Sequence, residues 1–207
     1  MDYRRAFRSA AVSFADLIAR VPADRWDDTA LGDWTLRELA GHATSSGLRQ
    51  VPAVLDTPAD EITRASSEDY WLLARAVTPD VLAAARKASS EDARANAEAL
   101  KGDPAGVVGD LVGQATQALG RVEDDDLVNT PAGGMRVRDW IPTRTFELVV
   151  HGLDVAGAAG IELFLGPEIY AEAAAQAARA AATAGDGPAL LRALTGRAPL
   201  SPTITIV

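Results

Sequence analysis

The sequence contains no cysteine and only two histidines among its 207 residues. Without cysteine the chain can form no disulfide, no thiolate nucleophile and no cysteine-ligated metal site, so any metal must be held by histidine and carboxylate groups. Any thiol that takes part in a reaction must then come from a bound small molecule. These absences confine the possible chemistry to a few residues.

Positive charge is also scarce, and long apolar runs are missing. Lys and Arg number 20 against 29 Asp and Glu, which gives a formal net charge of −9. Because nucleic acids and anionic membranes are bound mainly through clustered Lys and Arg, neither is expected as a partner. No apolar stretch is long enough to span a bilayer and the N-terminus lacks the pattern of a signal peptide, so we expect a cytoplasmic protein.

Apolar residues recur with helical spacing along most of the chain. The segments predicted to form the core of an all-α bundle are 3–20, 36–55, 104–122 and 139–159. Residues 68–101 and 166–195 are predicted as further helices outside this core, and residues 203–207 as a short β-like segment. We therefore expect a helical bundle at residues 1–160 and a helical extension packed on it at residues 161–207.

The two histidines, His42 and His151, each fall inside a predicted helix, and each follows a glutamate by four residues. A spacing of four places both side chains on one face of a helix, where both can reach one metal ion. Glu147 precedes His151 in this way and Glu38 precedes His42, although Glu38 also fits a capping box with Thr35. Acidic residues are common enough here for such pairs to arise by chance, so spacing alone does not choose between the two glutamates.

Two histidines and one carboxylate from two antiparallel helices would form a three-ligand site with an open coordination position, as in catalytic rather than structural zinc sites. The alternative is that both histidines are packed core residues and the acidic side chains form ion pairs. Arg144 and Asp154 are catalytic candidates because they extend the stripe of Glu147 and His151. Arg144 can bind a substrate carboxylate or pair with Glu147, and Asp154 can accept a ring N–H of His151 or act as a general acid or base.

Two longer motifs resemble a known family. Residues 33–42, DWTLRELAGH, resemble the first motif of the mycothiol-dependent maleylpyruvate isomerase family, in which a helix opened by tryptophan carries the first metal-binding histidine. Residues 142–154, PTRTFELVVHGLD, resemble its second motif, and the Gly134-Met135-Arg136 turn before it also fits. The resemblance extends over about residues 5–160.

The resemblance implies a DinB-like (YfiT-like) four-helix bundle that binds a divalent metal through His42, Glu147 and His151, which selects Glu147 over Glu38. The metal would be zinc, with nickel able to occupy the same ligands. The resemblance further implies mycothiol as a thiol cosubstrate, whose zinc-bound thiolate attacks an electrophilic small molecule in an isomerase or S-transferase reaction. The expected partners are this thiol and the electrophile, and the expected assembly is a monomer or a homodimer.

The C-terminal region departs from the family pattern. The isomerase proper carries a separate domain after its bundle, where this sequence has residues 161–207. A non-catalytic metal-binding or ligand-sensing helical module is therefore kept as the alternative function. The enzyme hypothesis needs two histidine rings that turn toward one point in a cavity, whereas the alternative needs only packed histidines in separate environments.

Overall fold

The computed structural model describes residues 2–201 and 204–206, which are mainly α-helical and include two short β-hairpins. The helices are α1 (Tyr3–Arg20), α2 (Leu36–Thr44), α3 (Gln50–Leu55), α4 (Ser67–Ala76), α5 (Pro79–Ala99), α6 (Pro104–Leu119), α7 (Val137–Ala159), α8 (Pro167–Thr183) and α9 (Gly187–Leu194). The strands are β1 (Thr29–Leu31), β2 (Trp34–Thr35), β3 (Leu127–Thr130) and β4 (Gly133–Arg136). The all-α fold class is confirmed.

Five of these helices form a closed four-helix bundle, because α2 and α3 continue one another through a π-helical turn at Ser45–Arg49. Helix α1 packs between α6 and α7, while α2 packs on α7 and α3 packs on α6. The core helices predicted at 3–20, 36–55, 104–122 and 139–159 are therefore the helices of the bundle.

The bundle core is filled by large apolar side chains that the helical repeat places on one face of each helix. Phe7, Phe14 and Leu17 of α1 are fully buried, as are Leu39 of α2 and Trp140 of α7. Burying one apolar side chain of this size contributes about 1.5–3 kcal/mol relative to leaving it exposed. The packed seam between these helices is thus the main source of stability for the elements that carry the candidate site.

Helix α5 lies outside the bundle and packs closely on α2. Gly41 makes this approach possible, because a Cβ atom at this position would lie 2.7 Å from the Ala93 carbonyl oxygen and 2.7 Å from the Ala97 amide nitrogen. Both of these atoms belong to the α5 backbone, so a larger residue would force the helices apart. The close contact brings α5 beside the next residue of α2, which is His42.

The strands do not lie where the sequence predicted β structure. Of the predicted β-like segment, residues 204–206 form no strand, and Thr203 and Val207 lie outside the described residues. Antiparallel hairpins occur instead before α2, from β1 and β2, and before α7, from β3 and β4. Each strand has only two to four residues, so these hairpins carry no alternation of apolar and polar residues long enough to be recognised in the sequence.

Two smaller features complete the fold. Helix α7 begins at Val137, two residues before the predicted start at 139, and Pro142 lies inside the helix. Helix α8 packs against α7 and α4, and α9 packs on α8, which places these helices of the C-terminal region outside the bundle. None of the helices in the described part of the chain is long and apolar enough to cross a membrane.

Candidate metal centre

The three side chains predicted as metal ligands meet between α2 and α7. His42 comes from α2, whereas Glu147 and His151 lie one turn apart on α7. One candidate ligand atom from each residue lies within 4.8 Å of the other two. The His151 Nε2 atom is 3.1 Å from the Glu147 Oε2 atom, and the two imidazole rings meet edge to face with centroids 4.9 Å apart. Both histidine rings therefore share one environment.

Glu38, the other glutamate that precedes a histidine by four residues, has a different position. Its Oε2 atom accepts the backbone N–H of Thr35 at 2.8 Å, and the Thr35 hydroxyl oxygen accepts the Glu38 N–H at 3.2 Å. These reciprocal bonds form a capping box at the start of α2. The hydrogen bond from the Thr35 backbone also lowers the pKa of Glu38. The tertiary structure thus separates two glutamates that the spacing left equivalent.

The Nδ1 atom of each histidine contacts a further side chain. The His151 Nδ1 atom lies 3.2 Å from the Asp154 Oδ2 atom, and the His42 Nδ1 atom lies 3.3 Å from the Ser89 Oγ atom on α5. Partners of this kind orient the ring and select its tautomer in metal sites, which leaves Nε2 as the atom available to an ion. Sequence reasoning anticipated Asp154 but missed Ser89, because no local pattern links α5 to α2.

Helix α5 makes a second contact at the same end of the site. The Trp34 ring lies against His42 with its centroid 5.0 Å away, and the Trp34 Nε1 atom donates to the Ser90 hydroxyl at 3.3 Å. Two consecutive serines of α5 therefore support the histidine and the tryptophan packed on it. A helix that the sequence placed outside the core thus contributes directly to the surroundings of His42.

Arg144, predicted to contact either an anionic group or Glu147, is enclosed by protein. Its side chain is 1% exposed, and its Nη2 atom lies 4.0 Å from the Glu147 Oε1 atom. Its Nη1 atom donates to the Ser46 carbonyl at 2.9 Å and its Nε atom to the Thr143 hydroxyl at 3.0 Å. The guanidinium carbon lies 5.0 Å from the centre of the Tyr70 ring. Arg144 therefore links the π-helical turn to α7 and places a positive charge beside Glu147.

The electrostatics of the group keep the carboxylate ionised. Burial alone raises the pKa of Glu147, but the hydrogen bond with His151 and the charge of Arg144 outweigh it and bring the pKa to about 2. Burial likewise lowers the pKa of His151, whereas its bonds to Asp154 and Glu147 raise it to about 9. Burial and the neighbouring His151 lower the pKa of His42. An ionised carboxylate is the form that a metal ligand requires.

A cavity of about 240 Å³ adjoins the three side chains. Its lining consists of His42, Glu147 and His151 together with the apolar residues Trp71, Phe146 and Val150. A few polar groups set in an apolar wall are typical of small-molecule sites. Sequence reasoning did not single out Trp71, because α4 reaches the site only through tertiary packing.

The donor set fits a divalent transition metal. Imidazole nitrogen and carboxylate oxygen suit zinc and nickel, and three protein ligands leave a coordination position for a non-protein group. The adjoining cavity offers space for that group next to the ligand atoms. The residues that the sequence nominated are therefore assembled in a form that can hold such an ion.

A closed four-helix bundle with two histidines and a glutamate converging on a cavity places the chain among the DinB-like helical proteins with a candidate metal centre. The family model described as the mycothiol maleylpyruvate isomerase N-terminal domain matches residues 7–156. The chain belongs to this family, which confirms the resemblance of the motifs at residues 33–42 and 142–154. No curated protein and no solved structure gives a significant match to the chain.

Proposed function

We propose that the protein is a metal-dependent enzyme that uses mycothiol to act on an electrophilic small molecule, by isomerisation or by S-transfer. The observation that carries the proposal is the convergence of His42, Glu147 and His151 beside one cavity. Family membership supports a mycothiol-dependent reaction. The absence of cysteine agrees with it, since the chain has no thiol of its own.

In this proposal His42, Glu147 and His151 hold one divalent ion, zinc or alternatively nickel. When bound, such an ion supplies the positive charge that favours the deprotonated, nucleophilic form of a thiol. Ser89 and Asp154 orient the two histidine rings so that Nε2 of each is directed to the site. The protein thereby arranges the ligands before the substrates arrive.

The two candidate catalytic residues, Arg144 and Asp154, have different roles in this proposal. Arg144 acts as a positioning residue, because its buried guanidinium lies against Glu147 and is absent from the cavity lining. Asp154 is about one-third exposed and touches the ring of His151, so its main part is to orient that ring. As the nearest carboxylate after Glu147, it is also our candidate for a general acid or base. Trp71, Phe146 and Val150 give the cavity an apolar wall, which lowers the local dielectric constant and strengthens the charge interactions inside.

Elemental analysis and a turnover assay test the proposal together. Protein purified without added metal is expected to carry one equivalent of a divalent ion and to consume an electrophile such as maleylpyruvate only when mycothiol is present. His42→Ala should lose both properties, whereas the matched control Glu38→Gln should keep both. Turnover that is equally fast without any low-molecular-weight thiol would exclude this mechanism, and bound metal without turnover would favour the non-catalytic, ligand-sensing alternative.

A further inference from the structure

A second cavity lies on the other side of Trp71 from the metal centre. It has a volume of about 400 Å³ and is formed by α4, α5 and the turn that joins β3 to β4. We call it the α4–α5 groove, and the lining residues that matter here are Tyr70, Trp71, Leu73, Val77, Leu82 and Arg86. Arg86 is the only charged residue in this lining among the described residues.

Trp71 is common to the α4–α5 groove and to the cavity at the metal centre. Its ring lies 5.0 Å from the Tyr70 ring on the groove side and 5.0 Å from the Phe146 ring on the side of the metal centre. The side chain is 7% exposed, and its indole N–H finds no hydrogen-bond partner in the described part of the chain. The Trp71 ring is thus packed between one aromatic ring of the groove and one of the metal centre.

Arg86 gives the apolar groove a positive end. Its side chain is exposed and forms no ion pair within residues 2–201 and 204–206, whereas the adjacent Lys87 pairs with Glu91 at 3.8 Å. In a chain whose net charge is −9, an unpaired arginine beside an apolar surface is a specific place for an anionic group. The groove therefore matches a molecule that has an apolar body and one negative end.

The volumes add a further reason to connect the two cavities. The cavity at the metal centre, about 240 Å³, is smaller than the roughly 300–1,000 Å³ that small-molecule sites usually offer. A reaction between a thiol and an electrophile needs space for two molecules. The α4–α5 groove lies on the other side of Trp71 and offers about 400 Å³ of further space.

We propose that the α4–α5 groove binds the electrophilic substrate, and that this substrate is an amphiphilic carboxylate with an apolar body. The apolar body lies along Leu73, Val77 and Leu82, the carboxylate pairs with Arg86, and the reactive end reaches the metal centre past Trp71. Trp71 and Arg86 are then the residues that determine specificity. This inference rests on the proposed function, because it assigns the substrate of that reaction.

Straight-chain alkanoates from butanoate to decanoate are the probes for the test, with binding to the full-length protein measured by titration calorimetry. Affinity is expected to rise about fourfold for each added methylene group until the groove is filled, since each buried methylene contributes a constant increment. The same alkanoates should raise the KM of the electrophile in the turnover assay, the longer ones at lower concentration. The inference would be overturned if alkanoate affinity were independent of chain length. It would also be overturned if alkanoates bound without raising the KM of the electrophile.

Two groove variants and one control make the test specific. Leu82→Asp should abolish the dependence on chain length, and Arg86→Gln should weaken alkanoates while leaving the matching alkanols unchanged. Arg86 is exposed, so its replacement does not threaten folding. Val12→Asp, which places the same charge on a 60% exposed valine of α1, should bind the probes as the unmodified protein does.

His42→Ala separates this inference from the proposed function. The variant lacks a proposed metal ligand but keeps the groove, so it should bind alkanoates with unchanged dependence on chain length. If turnover depends on the thiol but alkanoate affinity does not depend on chain length, the inference about the groove is wrong and the proposed function still holds. Alkanoate binding without thiol-dependent turnover contradicts the proposed function instead. If the protein forms a dimer that Leu82→Asp dissociates, and if no alkanoate binds, then a second copy of the chain occupies the groove. That result would overturn the inference.

Discussion

The hydroxyl oxygen of Ser89 lies 3.3 Å from the Nδ1 atom of His42, although the two residues are 47 positions apart in the chain and belong to different helices. This contact turns α5 from a peripheral helix into part of the surroundings of the metal centre. It also leaves the His42 Nε2 atom available to the proposed metal ion. The contact gives Ser89 a role that can be measured separately from the folding of α5.

We expect Ser89→Ala to weaken metal affinity by about 10–100-fold, the usual cost of removing a partner that orients a metal-binding histidine. Competition with a chromophoric chelator measures this affinity directly. Ser90→Ala is the control, because Ser90 bonds to Trp34 rather than to a proposed ligand. Equal metal affinity in Ser89→Ala and the unmodified protein would show that the hydroxyl does not orient His42.

Gly41→Ala tests whether the close approach of α5 to α2 is required. The new Cβ atom would meet backbone atoms of Ala93 and Ala97, so α5 must shift and carry Ser89 with it. Overpacking of this kind costs about 1–3 kcal/mol in the free energy of unfolding, and metal affinity should fall with it. Gly113→Ala is the control in α6, where a Cβ atom meets nothing within 4 Å.

Chemical denaturation distinguishes these two glycine variants. Gly113→Ala should raise the free energy of unfolding by about 0.5–1 kcal/mol, because alanine loses less conformational freedom than glycine when a helix forms. Gly41→Ala should lower it. A stabilising effect in both variants would mean that α5 adjusts without cost and that the approach at Gly41 does not constrain the site.

Arg144→Lys separates positioning of Glu147 from binding of a substrate anion. Lysine keeps the positive charge but cannot reproduce the bonds that the guanidinium makes to Ser46 and Thr143. We therefore expect weaker metal binding, with an unchanged KM for the electrophile once metal is saturating. A raised KM with normal metal affinity would instead support the role of anion anchor that the sequence also allowed.

Asp154→Ala should reduce thiol-dependent turnover by about 10–100-fold, since the His151 ring loses the partner that orients its Nδ1 atom. Glu147→Ala should abolish turnover, because it removes a proposed ligand. Asp154→Asn keeps a hydrogen-bond acceptor and should recover part of the lost rate. If the asparagine variant is as slow as the alanine variant and its pH profile loses one limb, Asp154 transfers a proton itself.

Glu38 provides the test of pH dependence. Its pKa is lowered by the bonds from Thr35, so the carboxylate stabilises the folded protein above its ordinary pKa and loses this contribution as the pH falls. Glu38→Gln keeps a neutral acceptor in the capping box but removes the charge at the start of α2. We expect the free energy of unfolding to drop by about 0.3–1 kcal/mol at pH 7.

The difference in the free energy of unfolding between Glu38→Gln and the unmodified protein should disappear at acid pH. There the Glu38 carboxyl group is protonated in both the folded and the unfolded state. Denaturation curves recorded from pH 3 to pH 7 show whether it does. A difference that stays constant over this range would mean that the charge of Glu38 contributes nothing. Metal affinity should be the same in both proteins, because Glu38 lies in the capping box.

The boundaries of the bundle helices and the Glu147–His151 pair follow from local patterns in the sequence. A helical repeat of apolar residues specifies which face is buried, and a spacing of four specifies that two side chains on one helix meet. The paired motifs, recognised by their resemblance to a family, supplied the link to His42. The hairpins escaped prediction because their strands are too short to show an alternating pattern.

The amino-acid sequence by itself determined the helices, the choice of ligands available to a metal and the absence of any thiol in the chain. Only the tertiary structure decided that Ser89 supports His42, that Arg144 is enclosed beside the π-helical turn and that Trp71 separates two cavities. The physical reason is that these contacts join side chains on different helices. Their distances depend on how closely the helices approach, which the periodicity of a single helix does not encode.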